Sequence, residues 1–202
     1  ADDVEINFDL NKEKKLPFNN NYLKGIYTSH CLEHLKFSEV QYWLTEFYRV
    51  LSKGSIVRIT VPDIMLFFEA YENKDAAFYN WIRASGAYVY DSWLRSIVRQ
   101  FASPVVDQFS DEEIYELYEK KNKIDFLNFF EQKVEAITDE KYLWPQIHKS
   151  WWSHERFTTE LKKSGFETVK IYSHNTSGNN IFIGNNFNKT RPHMSLYIEG
   201  IK

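Results

Sequence analysis

The feature that most constrains this chain is an early strand–helix–strand pattern. Leu23 to Thr28 is a largely apolar run, and Ile56 to Val61 is a second one, stopped by Pro62-Asp63. Between them Val40, Trp43, Leu44, Phe47, Val50 and Leu51 recur at three- and four-residue steps, which gives a helix one buried face. Two strands separated by a helix pair in parallel through a crossover, not as a hairpin. The pattern therefore predicts α/β architecture. Ser38-x-x-Gln41 reads as a capping box that starts the helix after a turn at Lys36-Phe37. Ser52-Lys53-Gly54 reads as its end, with glycine at the left-handed cap.

Upstream, Val4 to Phe8 alternates as a short strand, and residues 11–21 are a Lys- and Asn-rich loop. Downstream, residues 64–147 are helix-prone and aromatic, with a second capping box at Ser110-x-x-Glu113 and an apolar stripe of Phe126, Phe129, Phe130, Val134 and Ile137. Such a stripe belongs to a core. The region reads as a helical insertion or lid within a single domain spanning residues 1–202. Ser153 then caps a helix bearing Phe157 and Leu161, closed by Ser164-Gly165-Phe166. Strands are predicted at Thr168–Tyr172 and Met194–Ile201. The Asn-rich joint between them, with its short Ile181-Phe182-Ile183 run, is too polar for a crossover helix, so the final pair is expected to be antiparallel.

Composition narrows the class of partner. Net charge is -3 and the isoelectric point is near 6.1, which argues against nucleic acid, whose recognition needs an excess of Lys and Arg. Mean hydropathy is -0.51, and no window approaches the roughly 18 apolar residues of a spanning helix, so no membrane partner is expected. A single cysteine excludes an internal disulfide. With an acidic start that lacks the features of a signal peptide, this leads to the expectation of a reducing, cytoplasmic setting.

The chemistry concentrates in Thr28-Ser29-His30-Cys31-Leu32-Glu33-His34-Leu35, which holds two of the six histidines and the only cysteine. Taken alone, His30-x-x-Glu33-His34 matches the H-x-x-E-H pattern of a zinc metallopeptidase. On a helix, positions i and i+4 share a face, so both imidazoles would reach one metal while the glutamate activates water. Against this, such a helix would have to begin at the very end of a strand. The other reading makes Glu33 a helix-start carboxylate favoured by the dipole and His34 a packing residue. It assigns no metal ligand.

Taken together, Asp9-Leu10-Asn11, Leu16-Pro17-Phe18, the Gly25–Leu35 stretch, Tyr48-Arg49-Val50-Leu51 running into Ile56–Asp63, Gly165-Phe166 and Arg191–Tyr197 resemble a class I, Rossmann-like S-adenosylmethionine (SAM)-dependent methyltransferase of the type 11 kind. The likeness covers residues 3–63 and 148–202. It implies an incomplete methyltransferase sheet, mostly parallel with an antiparallel last strand, and a helical insertion. It also implies SAM as cofactor and a small-molecule or sugar methyl acceptor. Asp9 and Leu10 fall where the family contacts adenine, Ser29 and His30 beside the methionine portion, and Asp63 and Trp151 toward the substrate. His30 and His148 are the candidate catalytic groups, His30 as a base for a hydroxyl acceptor.

The family's glycine-rich loop has no counterpart here, since the first glycine is Gly25, and Lys24 stands where relatives carry an acid. The expectation is therefore a truncated enzyme, weak or inactive, that binds SAM poorly. The missing strands would leave an unpaired sheet edge for a second copy to cover. A non-catalytic, dimeric fragment is the third reading.

Overall fold

The computed structural model describes residues 8–87, 89–139, 146–184, 187 and 191–202. Strands β1 (Leu23–Ser29) and β2 (Leu51–Pro62) are parallel, joined through helix α1 (Phe37–Val50). Helices α2 (Ile64–Glu72), α3 (Ala76–Ala84), α4 (Trp93–Ala102), α5 (Asp111–Lys120) and α6 (Lys123–Glu135) follow. Helix α7 (His154–Lys163) and strands β3 (Thr168–Tyr172) and β4 (Ser195–Ile201) complete the chain. Sheet order is β1-β2-β4-β3, with β4 antiparallel to both neighbours. Three strands thus point one way and the last points the other, as the sequence predicts. Among the described residues β1 is an edge strand, and no helix is long and apolar enough to cross a membrane.

Three local expectations are corrected. Helix α1 starts at Phe37, not beyond Ser38. Its N-cap is Lys36, whose amide donates to the Glu39 carboxylate at 2.7 Å, while the Ser38 hydroxyl donates outward to Glu135 at 2.9 Å. At the other end, Leu51 is already extended, with ψ 138°, and pairs with Leu23. The register then jumps to Gly25 opposite Ile56, so Ser52-Lys53-Gly54 forms a bulge within β2 instead of a helix cap. Gly54 takes φ 79° there, and its amide donates to the Lys202 carbonyl at 2.6 Å. Gly54 thus has the expected left-handed conformation, but inside a strand and not at a helix end. The strand expected at Val4–Phe8 lies outside the described residues except for Phe8, which meets Trp43 edge-on. Met194 closes a 3-10 turn, so the last strand begins one residue later than expected.

Two apolar cores result. One joins the sheet to α1 and α7 through Trp43, Phe47, Val57, Ile59, Phe157, Phe166 and Ile198. The other lies among the helices, around Phe67, Phe101, Phe126, Phe130 and Val134. The aromatic stripe is therefore core. The Ser110–Glu113 capping box and the Ser153 cap both form as predicted.

Between β2 and β4, Arg58 faces Glu199 in register, and the two side chains pair at 2.7 Å with no exposed surface. Glu199 also accepts from the Gly178 amide at 3.0 Å and from the Ser177 hydroxyl. The guanidinium carbon lies 5.4 Å from the Tyr197 ring centre. Removing one member of a buried pair strands the other charge. Arg58→Met should cost about 3–5 kcal/mol in urea denaturation, and Arg58→Met with Glu199→Leu should recover most of it.

Candidate functional site

β1 ends at Ser29, and the amide of His30 still donates to the Thr60 carbonyl of β2 at 2.8 Å. His30 then adopts a left-handed φ of 48°, which turns the chain sharply into a 3-10 turn at Leu32–His34. That turn drops Leu32 and Leu35 into the sheet core and buries Glu33 to 1% exposure. His30 and His34 therefore do not share a helical face, and the pair required by the H-x-x-E-H reading does not assemble.

His30 is fully engaged. Its Nδ1 lies 3.0 Å from Glu33 Oε1 and its Nε2 lies 2.9 Å from Ser195 Oγ. Serine, histidine and carboxylate in this order have the outline of a nucleophilic triad. Here, however, the Ser195 hydroxyl is buried and also lies 2.8 Å from the Arg191 carbonyl. The line of three braces the turn against β4.

The segment before α7 reaches the same turn from the other side. The Lys149 amide donates to the Glu33 carbonyl at 2.7 Å, which sets His148 beside His34 with ring centres 4.8 Å apart. His148 Nδ1 faces the Gln100 carbonyl of α4 at 2.8 Å, and His34 Nδ1 faces the Ile147 carbonyl at 3.1 Å. A carbonyl only accepts, so each Nδ1 carries the proton and each Nε2 keeps a lone pair in the neutral ring. Burial drives the His148 pKa down to about 4, outweighing the opposing pull of the Glu33 charge, so the ring is neutral at physiological pH. Burial also opposes ionisation of Glu33, yet the His30 hydrogen bond and the neighbouring histidines hold its pKa below the ordinary value. His148 also lines an open cleft of about 310 Å³ together with Arg99, Gln100, Ser103, Gln146 and Arg191.

The other sequence-named residues are dispersed. Asp63 caps α2, accepting from the Met65 amide at 3.1 Å, and its second oxygen lies 3.6 Å from His154 Nδ1. Burial raises its pKa. Asp9 is largely committed to its own turn, accepting from the Asn11 amide at 2.9 Å and pairing with Lys12 at 3.5 Å. Leu10 lines a separate surface hollow of about 490 Å³ with Tyr42 and Trp43. Ser29 Oγ and Thr60 Oγ1 are buried without a hydrogen-bond partner, on register-paired positions of β1 and β2. Cys31 has its pKa raised by burial and stays a thiol. Missed in the sequence were the approach of His148 to Glu33 and His34, and the role of Arg156.

Trp151 is 5% exposed. Arg156 stacks over it at 4.0 Å and over Phe37 at 3.8 Å, while forking onto Glu131 at 2.9 and 2.7 Å. A lysine supplies neither the planar stack nor the fork. Arg156→Lys should lower unfolding stability by about 1.5–3 kcal/mol and shift tryptophan emission to the red.

No family model matches the chain, and no curated protein matches it. Among solved structures it is similar to a SAM-dependent methyltransferase from Thermotoga maritima, at 14% identity and TM-score 0.42, covering 94% of this chain and 60% of that one. It is also similar to a SAM-dependent methyltransferase from Archaeoglobus fulgidus, at 14% identity and TM-score 0.39, covering 92% and 62%. The chain thus spans less than two thirds of the length of these structures. The fold assignment rests on the sheet itself. Its order and strand directions give a four-stranded mixed α/β sheet, β1-β2-β4-β3, with a parallel pair at β1 and β2 and an antiparallel last strand.

Proposed function

We propose that this chain is a methyltransferase domain that presents a small-molecule or sugar acceptor to SAM. The observation that carries the reading is the pair of buried, unpartnered hydroxyls, Ser29 Oγ and Thr60 Oγ1, at the carboxyl ends of two parallel strands. That edge is where open α/β sheets bind ligands, and an unpaired buried hydroxyl asks for a polar guest. The residues present fit the methionine end of SAM in this respect. Ser29 would hold it, and Leu10, beside Trp43, offers an apolar surface to the adenine.

SAM, when bound, supplies a methyl group already activated on a sulfonium. What remains for the chain is alignment of the acceptor. His30 has both ring nitrogens engaged, so it acts by fixing the turn beside Ser29. His148, neutral and lining the arginine-bearing cleft, is the better placed of the two histidines to take a proton from an acceptor. Asp63, at the end of β2, faces the acceptor side. Helices α2 to α6, within residues 64–147, serve as the lid that selects the acceptor, and a second copy covers the edge of β1.

With no glycine-rich loop among these residues, SAM is held weakly. Millimolar SAM should shift the amide resonances of Ser29, His30 and Cys31 saturably in NMR titration, and Ser29→Trp should abolish the shifts. Micromolar affinity by calorimetry would overturn the weak-binding part. No saturable shift at these amides would overturn the methyltransferase reading.

A further inference from the structure

We propose that Glu33, His34 and His148 form a zinc site. It differs from the H-x-x-E-H arrangement in three of its parts: His30 is not a ligand, a histidine from the far end of the helical region replaces it, and Glu33 is a ligand instead of the base that activates water. The proposal goes beyond methyl transfer and does not depend on SAM binding; because the His148 ring has a single lone pair, on Nε2, zinc and the acceptor's proton compete for it.

The geometry is that of a three-ligand set. One ligand atom from each residue lies within 4.8 Å of the other two. Donors across a single zinc are about 3.3 Å apart at tetrahedral angles with bonds near 2.0–2.1 Å, so closure requires modest side-chain shifts at the longest separation. Glu33 Oε2 is buried and has no hydrogen-bond partner, in a residue 1% exposed. An ionised carboxylate oxygen left bare inside a protein is costly, and a cation among two imidazoles removes that cost.

The surroundings match what zinc ligands require. Both histidines face backbone carbonyls through Nδ1, which fixes the tautomer that leaves Nε2 to the metal. The other oxygen of Glu33 is held by His30, itself braced by Ser195, as ligating carboxylates commonly are. Two imidazoles, which are borderline donors, beside one hard carboxylate suit zinc better than magnesium or calcium, which take oxygen ligands. Three protein ligands leave a coordination position open. His148 is shared with the cleft that carries Arg99 and Arg191, so a carboxylate or phosphate is the class of small ligand this centre would attract.

The test uses the full chain, stripped with EDTA and titrated with zinc chloride against a chromophoric chelator. One zinc per chain is expected. His148→Asn and Glu33→Gln should each weaken binding at least about tenfold, with circular dichroism establishing that both are folded, while His193→Asn should bind as the parent does. Absence of stoichiometric zinc in the parent, or full affinity in a folded His148→Asn, would overturn the site. A zinc-edge X-ray absorption spectrum of the parent needs no variant. Nitrogen and oxygen donors at about 2.0–2.2 Å with imidazole scattering support the assignment. A sulfur shell at about 2.3 Å would place the metal on Cys31 and overturn it. The SAM titration of the EDTA-stripped parent chain, read at the Ser29, His30 and Cys31 amides, involves no zinc, so failure here and failure of the methyltransferase reading are distinguished.

Discussion

The pairing of Arg58 with Glu199 is the interaction on which the sheet depends. Each side chain sits at the centre of its strand, fully enclosed, so β2 and β4 can slip only by exposing two uncompensated charges to an apolar interior. Because a one-residue slip also sends every side chain to the opposite face, the charge pair and the apolar alternation enforce the same register. Glu199 extends the constraint to Ser177 and Gly178, which fastens the polar joint between β3 and β4 to the sheet. β2 then has a fixed neighbour on one side, and β1 is laid against its other side, past the β2 bulge at Ser52–Gly54.

Much of this framework is legible in the sequence because its signals are local. A helical period from Val40 to Val50, two β-rich runs, a serine cap at Ser153 and the Ser110–Glu113 box each declare an element within a few residues of themselves. The misreadings lie where a long-range partner overrides a local preference. Gly54 carries the conformation of a helix cap, yet Leu51 pairs with Leu23 and pulls the chain into the strand early. Ser38 resembles a cap, but Glu39 reaches back to Lys36 and Ser38 turns to Glu135. Neither Leu23 nor Glu135 can be paired with its partner by reading a short window.

The site divides in the same way. The stretch from Ser29 to His34 stands out on composition alone, and its place after a strand is readable. What His34 does is not, because its neighbours are a carbonyl and a ring contributed by Ile147 and His148. The tautomers that leave each Nε2 lone pair available come from backbone oxygens, which every residue possesses and no motif records. Arg156 illustrates a related blind spot. Its flat guanidinium lies between Phe37 and Trp151, and nothing in the sequence distinguishes it from a solvated arginine on an amphipathic helix.

The hydrogen bond from Lys149 to Glu33 also has a consequence in time. His34 and Ile147 are 113 residues apart in sequence, so the turn and its facing segment meet only across a very long loop closure, the slowest kind of contact to form. During synthesis Glu33 leaves the ribosome long before the segment that buries it exists. The carboxylate can remain hydrated through that interval and give up its water only when the helical region has packed and the chain returns to the sheet. The cluster therefore closes only after the helical region has been made.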